Sequence, residues 1–352
     1  MKSKASSKNL ACTALPSQRY NFLTLIILSA LVLIGCSEKL EQKYTVTEAQ
    51  KVFQTKCLKD FNMHVRTRQV GGTFWIYLPI KDPIFDYEVQ KPKPPGGQPS
   101  PNKFVVNFTD GKFKNGVFLF EYDIIDKKKS KDEDYGFSSS YTDSYVKNQN
   151  NLFTAVYEVF FNTKAKPHEI LPQFFVIVIT DIKKGIETRA TFYLDDFVRF
   201  MSGAIPYDEY VKRFLSDRKG SPSMIGDETG SHIRYSNITM SEFLTRQIVN
   251  RISFKFQYSD FPPGESYDNA IVGIIADTLR YYKFNDFTNI RLNNIRLSKK
   301  YLFDKSQLVN FGEDKPKENQ GRLIHITFKD GKPEFEEPLS DQTTSNSDEP
   351  TH

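Results

Sequence analysis

Met63-His64-Val65-Arg66-Thr67-Arg68-Gln69-Val70-Gly71-Gly72-Thr73-Phe74-Trp75-Ile76-Tyr77-Leu78-Pro79-Ile80 is the stretch on which the fold turns. Two glycines stand between two runs rich in β-branched and aromatic residues. That is the signal of a hairpin with a two-residue loop, because glycine supplies the φ > 0 such a turn needs. The loop length sets the register: Val70 opposite Thr73, Arg68 opposite Trp75, Arg66 opposite Tyr77. Side chains alternate between the faces of a strand. One face then carries Val65, Thr67, Phe74, Ile76 and Leu78, apolar enough to be core. The other carries His64, Arg66, Arg68, Trp75 and Tyr77.

Upstream, Thr45-Val46-Thr47-Glu48 reads as a capping box opening a helix near Val46–Phe61. Ala49, Val52, Phe53, Cys57 and Phe61 form its apolar stripe. Downstream, Phe104–Phe108 and Val117–Ile125 read as strands, with turns offered at Asp110-Gly111 and Asn115-Gly116. Val89–Asn102 is a Pro- and Gly-rich loop, and Asp126–Asn150 a charged, then Ser- and Tyr-rich one. Asn151–Phe161 reads as helix. Phe174–Thr180 is uniformly apolar, as a strand buried on both faces would be, and turns at Lys184-Gly185 into Glu187–Tyr193. Leu194–Met201 and Tyr207–Leu215 read as short helices, and Ser216–Ser236 as a Gly- and Ser-rich connection. Thr239-Met240-Ser241-Glu242 is a second capping box, opening a helix to Asn250. Ile252, Phe254, Phe256 and Tyr258 then alternate with polar residues, the pattern of a half-buried strand. Tyr267–Tyr282 is helical in pattern. Ile290–Leu297 and Leu323–Phe335 supply late strands.

Strands joined by tight turns imply an α+β fold: a mainly antiparallel sheet built from hairpins, with helices packed on one face. It occupies residues 46–335, as one unit or as two packed halves, 46–200 and 201–335. Helix followed by one or two strands recurs along the chain without a residue-level repeat. Residues 336–352 are acidic, rich in Ser and Thr, and read as a disordered tail.

Near the start, Phe22–Gly35 is an apolar run broken only by Thr24 and Ser29, preceded by Lys2, Lys4, Lys8 and Arg19 with no acid among them. A signal h-region runs about 7–15 residues and a spanning helix about 20. The run closes on Leu33-Ile34-Gly35-Cys36, which resembles the lipobox of bacterial lipoproteins: Leu, a small or apolar residue, a small residue, then Cys. The resemblance covers residues 1–36 only. It implies a signal peptide over 1–35, cleavage before Cys36, and diacylglycerol plus an N-acyl chain on that residue. It also implies a cell-envelope location. Ser37 follows the Cys where Asp favours inner-membrane retention in double-membrane bacteria, which points to the outer membrane. Residues 36–45 would be a short tether, Ser37 to Thr45 spanning at most about 30 Å.

The chain's formal charge is +5, and loss of the four basic groups of the signal leaves a mature chain near +1. That balance removes the case for a nucleic-acid partner. Of three cysteines, Cys12 lies in the signal and Cys36 carries lipid. Cys57 is left alone, with no disulfide and no cysteine-based metal site.

Searches for a P-loop, Gly-x-Gly-x-x-Gly after a strand, His-Glu-x-x-His and Gly-x-Ser-x-Gly return nothing. Ser144-Tyr145-Val146-Lys147 matches Ser-x-x-Lys without its companion motifs. His64, His168, His232, His325 and His352 share no metal-like spacing, and Asp195-Asp196 suits a helix start. No catalytic residue, metal ligand or cofactor is assigned. The candidate binding surface is the face with Arg66, Arg68, Trp75 and Tyr77. A cation over an aromatic ring is favourable by about 0.5–2 kcal/mol, and such a face suits an anionic or sugar-like ligand or a partner protein. The alternative is that another element covers it. Tyr135, Tyr141 and Tyr145 could make a second contact surface.

The functional expectation is a membrane-anchored, non-catalytic lipoprotein that binds an envelope protein or polymer. Two alternatives stand beside it. A periplasmic solute-binding lipoprotein would need two lobes with alternating parallel units. An envelope-polymer hydrolase would need a deep pocket with converging carboxylates or histidine.

Overall fold

Thr45 opens the first helix by accepting a hydrogen bond from the Glu48 N–H, while the Glu48 carboxylate accepts one from the Thr45 N–H at 2.8 Å. This is the reciprocal capping box the sequence predicts. The computed structural model describes residues 44–89, 104–126, 137–161, 163–258, 266–309, 322–323, 325–329 and 332–336. Outside them lie the predicted signal peptide, Cys36 and most of its tether, nearly all of the 89–102 loop, Tyr135, and tail residues 337–352.

In chain order the elements begin with β1 (Tyr44–Thr45), α1 (Val46–Phe61), β2 (Arg66–Val70), β3 (Thr73–Ile80) and β4 (Phe85–Val89). Next come β5 (Phe104–Lys114), β6 (Val117–Asp126), β7 (Phe137–Tyr141), α2 (Asp143–Phe160), β8 (Thr163–Lys164), β9 (Phe174–Asp181) and β10 (Ile186–Tyr193). Then follow α3 (Leu194–Met201), α4 (Tyr207–Arg213), β11 (Leu215–Gly220), a 3₁₀ turn (Pro222–Met224), α5 (Met240–Tyr258) and α6 (Tyr267–Tyr281). The last are β12 (Asn289–Asn294), β13 (Lys299–Asp304), α7 (Lys305–Val309), β14 (Arg322–Leu323), β15 (His325–Lys329) and β16 (Lys332–Glu336).

The fold is α+β, and most strand pairs are antiparallel, with hairpins among them. Two five-stranded sheets carry it, ordered β11-β10-β9-β3-β2 and β14-β13-β12-β6-β5. Their plans coincide: a hairpin (β2–β3 or β5–β6), a parallel step (β3–β9 or β6–β12), a second hairpin (β9–β10 or β12–β13), then an antiparallel edge strand. The recurring layout in the sequence is thus a recurrence of topology. The two plans interleave along the chain: β5 and β6 are inserted between β3 and β9. β11 also belongs to the first sheet, so residue 200 does not separate the halves.

In the first sheet, β9 is central and all eight of its residues are buried. Phe74, Ile76 and Leu78 share a core with Phe53 of α1, Phe160 of α2 and Phe197 of α3. Phe74 and Phe160 rings lie 4.8 Å apart, and Phe160 and Phe175 4.9 Å. Each fully buried Phe contributes about 1.5–3 kcal/mol. In the second sheet, Phe118, Phe120, Tyr122, Ile290 and Leu292 pack against α5 and α6. Helices therefore cover one face of each sheet.

Four local readings are corrected. Ile252–Tyr258 continues α5. Leu244, Ile248, Ile252 and Phe256 recur every four residues and are all buried, so the helical stripe outcompetes the alternation of 252, 254, 256 and 258. Much of Asp126–Asn150 is ordered: Phe137–Tyr141 pairs with β4, and α2 begins at Asp143 behind a Thr142 cap. Tyr141 and Tyr145 stack at 4.6 Å, with Tyr145 buried, so they serve packing. Residues 215–220 form an edge strand. Finally, β5 runs unbroken to Lys114 and turns only at Asn115-Gly116. Among the described residues no helix is long and apolar enough to cross a membrane.

Candidate functional site

The hairpin register is the one its two-residue loop dictates: Arg66 opposite Tyr77, Arg68 opposite Trp75, Val70 opposite Thr73. Its polar face, however, is not open. Residues 227–238 form a strap across it, leaving Trp75 3% and Tyr77 1% exposed. Trp75 Nε1–H donates to the Ser236 carbonyl at 2.9 Å, and the Tyr77 hydroxyl donates to the Asp227 carbonyl. Tyr235 meets Trp75 edge-on at 5.5 Å, and His232 meets Tyr77 at 5.7 Å. Gly230, at φ +75°, lies against Tyr77; a Cβ there would come within 2.9 Å of the ring. The strap is tied down at its far end, where Asn237 Oδ1 accepts from the Gly72 N–H at 2.9 Å and the Ile238 N–H donates to Thr73 Oγ1 at 2.7 Å. Arg68 is exposed but lies over the Tyr235 ring at 5.1 Å. The four candidate residues therefore share a face without forming one binding surface. The two rings hold the strap, and Arg66 lines a cleft beside it.

The strap is clamped by a carboxylate–imidazole–carboxylate chain that no sequence motif announced. His232 Nδ1 lies 2.6 Å from Asp227 Oδ2 and Nε2 lies 2.7 Å from Glu187 Oε2 on β10. Both nitrogens can donate only from a doubly protonated ring. Glu187 also accepts from Arg189 at 2.9 Å, and Arg189 lies over the Trp75 ring at 5.3 Å. Asp227 further accepts from the N–H groups of Thr229, Gly230 and His232 and the hydroxyls of Thr229 and Ser231, at 2.9–3.1 Å. Burial alone would raise its carboxyl. The hydrogen bonds, led by those from His232, outweigh burial and hold it far below the ordinary value. The three side chains are 1–6% exposed. General acid–base chemistry requires reach to a substrate atom. Here both carboxylates converge on His232 under a closed strap, and the arrangement fixes the strap rather than offering a pocket.

Arg66 opens onto a cleft of about 580 Å³ between the C-terminal end of α1 and the strand ends of the first sheet. Its apolar floor includes Leu58, Met63, Val65 and Ile182, and its polar lining His64, Arg66, Lys81 and Glu228. Leu58 is 44% exposed. Lys81 and Glu228 approach to 3.6 Å while each stays about two-thirds exposed, so the pair is weak. The lining carries an excess of basic groups over acids.

A second cleft of about 480 Å³ lies over α4, α5 and α6, with Lys212, Arg251, Phe254 and Tyr281 in its wall. Beneath it is a buried network. Arg213 donates to Asp196 at 2.9 Å and to Glu209 at 2.9 Å, Tyr282 donates to Asp196, and Arg251 donates to Glu209 at 2.7 Å. Burial raises the Asp196 carboxyl despite hydrogen bonds from Tyr282 and Arg213. Burial also acts to raise Glu209, but Arg251 and Arg213 prevail and lower it. The opposed directions fit a structural ion network. Asp196 does begin α3, as its sequence position suggests, but its main partners come from α4 and Tyr282.

The Ser144 hydroxyl donates to Asp82 at 2.8 Å, which accounts for it without reference to Lys147. Among the described residues no His, Cys, Asp and Glu group is arranged to hold a metal ion. Cys57 is fully buried, and burial pushes its thiol up to about 12. Comparison with known proteins finds no matching family model, no matching curated protein and no matching solved structure.

Proposed function

We propose that this protein is a lipid-anchored lipoprotein of the bacterial cell envelope, held at the outer membrane through Cys36, with a non-catalytic binding role. The cleft at the C-terminal end of α1 is its recognition site, and an anionic segment of an envelope protein or polymer is its partner. The observation that carries this reading is the cleft's chemistry: His64, Arg66 and Lys81 beside an apolar floor with Leu58 partly exposed. An exposed apolar side chain rimmed by cations matches a ligand with an apolar stem and a negative charge. The position is also suitable. α1 has 16 residues, so about 24 Å separates the cleft from the helix end where the tether enters.

Two experiments test the two parts. Cys36→Ser is expected to leave the precursor uncut and move the protein to the soluble fraction. Unchanged size and membrane fractionation would refute the anchor. Arg66→Ala with Lys81→Ala is expected to abolish partner capture by crosslinking in native envelopes while Trp75 emission is unchanged. Undiminished capture would refute the cleft.

The solute-binding alternative asks for two lobes of alternating parallel units, and each sheet here has a single parallel step between hairpins. The hydrolase alternative asks for a reachable acid–base group, whereas the Glu187–His232–Asp227 chain is buried between the strap and β10.

A further inference from the structure

The chain enters the fold at one end of the molecule. Tyr44 pairs in parallel with Thr163, and Thr45 with Lys164. Glu169 then accepts hydrogen bonds from the N–H groups of Val46 and Thr47 at 3.3 Å and from the Thr47 hydroxyl at 2.8 Å. The segment 163–171 is thereby fastened around the start of α1. The Gly71-Gly72 turn is at the same end, since Gln69 reaches the Ile170 carbonyl at 2.7 Å and the Gln173 N–H donates to Gly72.

This segment and the residue leading into it carry three exposed large apolar side chains. Ile170 is 58% and Leu171 37% exposed, and Phe161, just before it, is 38% exposed. Lys164 and Lys166 are exposed beside them. The neighbouring acids are tied to backbone groups at the surface: Glu48 closes the α1 capping box, and Glu169 is held by α1 and by the Lys166 N–H at 2.8 Å. Hydrogen bonds keep the Glu169 carboxyl down at about 2, the first of them from Lys166.

We infer that this end of the molecule, with Phe161, Lys164, Lys166, Ile170 and Leu171, is a bilayer-contacting face that seats the domain on anionic lipid headgroups. The inference rests on the anchor proposed above. Eight peptide units separate Cys36 from Tyr44, so a lipid on Cys36 lies at most about 29 Å from Tyr44. A bilayer at the anchor is thus within reach of this end. Apolar side chains flanked by lysines are the composition that enters an interface, the lysines adding attraction to negative headgroups. Seating this end directs the cleft at the far end of α1 away from the lipid.

The test uses the full-length lipidated protein in vesicles of mixed zwitterionic and anionic phospholipid. An environment-sensitive fluorophore is placed at Ile170→Cys or, as the distal control, Ser223→Cys; buried Cys57 stays unlabelled. Quenchers are carried on the lipid near the headgroup, and the mass of the purified chain reports acylation of Cys36 separately. The expected result is an acylated chain that floats, with the fluorophore at 170 quenched and that at 223 not. Lys164→Glu with Lys166→Glu should reduce the quenching at 170 while flotation persists. An acylated, floating chain with position 170 no more quenched than 223 overturns the face and leaves the anchor standing. An unacylated chain that does not float overturns both.

Discussion

His232 joins two buried carboxylates, so its loss should be costly. His232→Ala leaves Glu187 and Asp227 facing each other without the ring, and removing one partner of a buried charged group typically costs about 3–5 kcal/mol. Urea unfolding should register that loss, and quenching of the lone tryptophan by acrylamide should rise as the strap loosens. An unchanged midpoint with Trp75 still protected would contradict the clamp. Asp227 gives the pH dependence. Its folded-state pKa is depressed, so its stabilisation is fully present above about pH 4 and drains away as pH falls from there. Asp227→Asn should therefore be much less stable than wild type at pH 7, with the deficit narrowing progressively as pH falls below about 4. Cys57, with its thiol pushed up to about 12, should resist alkylation at pH 8 until denaturant is added. At this scale the sequence was readable where chemistry is local. The pairing of Arg68 with Trp75 followed from a two-residue loop. The cover over Trp75 did not, because the strap carries no periodicity and its partners lie about 160 residues away.

Packing between elements was legible where one period dominated and lost where two competed. α1, β3 and β9 follow their patterns. α5 was truncated in the sequence reading because residues 252–258 satisfy both periods, and only the buried neighbours at 244 and 248 break the tie. Gly111 marks how closely α5 approaches β5. A Cβ there would lie 2.7 Å from Thr245 Cγ2 and 2.9 Å from Val249 Cγ2 and from the Phe120 ring. Gly111→Ala is expected to cost about 1–3 kcal/mol by overpacking, read as a lowered melting temperature. A neutral or stabilising effect would mean that helix and strand can separate freely. Asp268 pins α6 to the same sheet by accepting from Tyr122, Tyr301 and Asn294, three contacts that no local pattern foretold.

Among the described residues two five-stranded sheets of one plan dominate, interleaved in sequence and bridged through a buried ion network. Asp196 and Arg213 belong to the helices of the first sheet, whereas Tyr282 and Arg251 belong to those of the second. Arg213→Met should cost about 3–5 kcal/mol by leaving the buried Asp196 without its cation. Its deficit runs in the same direction with pH as that of Asp227→Asn, from a different cause. Burial already raises Asp196, so its ionised form is the disfavoured one; the variant's deficit should be greatest at neutral pH and shrink on acidification as the acid takes a proton. A deficit that grows toward low pH would show the bridge to be something else. Interleaving also explains why a division at residue 200 fails: the second sheet draws its hairpins from both sides of it, and the edge strand β11 of the first lies beyond it. The α+β class was legible from tight turns, but the two parallel steps depend on connections too long for any local signal.

The proposed function and the proposed lipid face together require a molecule with two working ends, one toward lipid and one presenting a cationic cleft. Photocrosslinking in native envelopes tests it most directly, with the reactive side chain placed at Leu58 in one variant and at Ile170 in another. The account predicts lipid adducts from 170. From 58 it predicts a discrete non-lipid adduct that vanishes when Arg66→Ala and Lys81→Ala are added. Lipid adducts from 58, or an adduct there that survives loss of both cations, would contradict it.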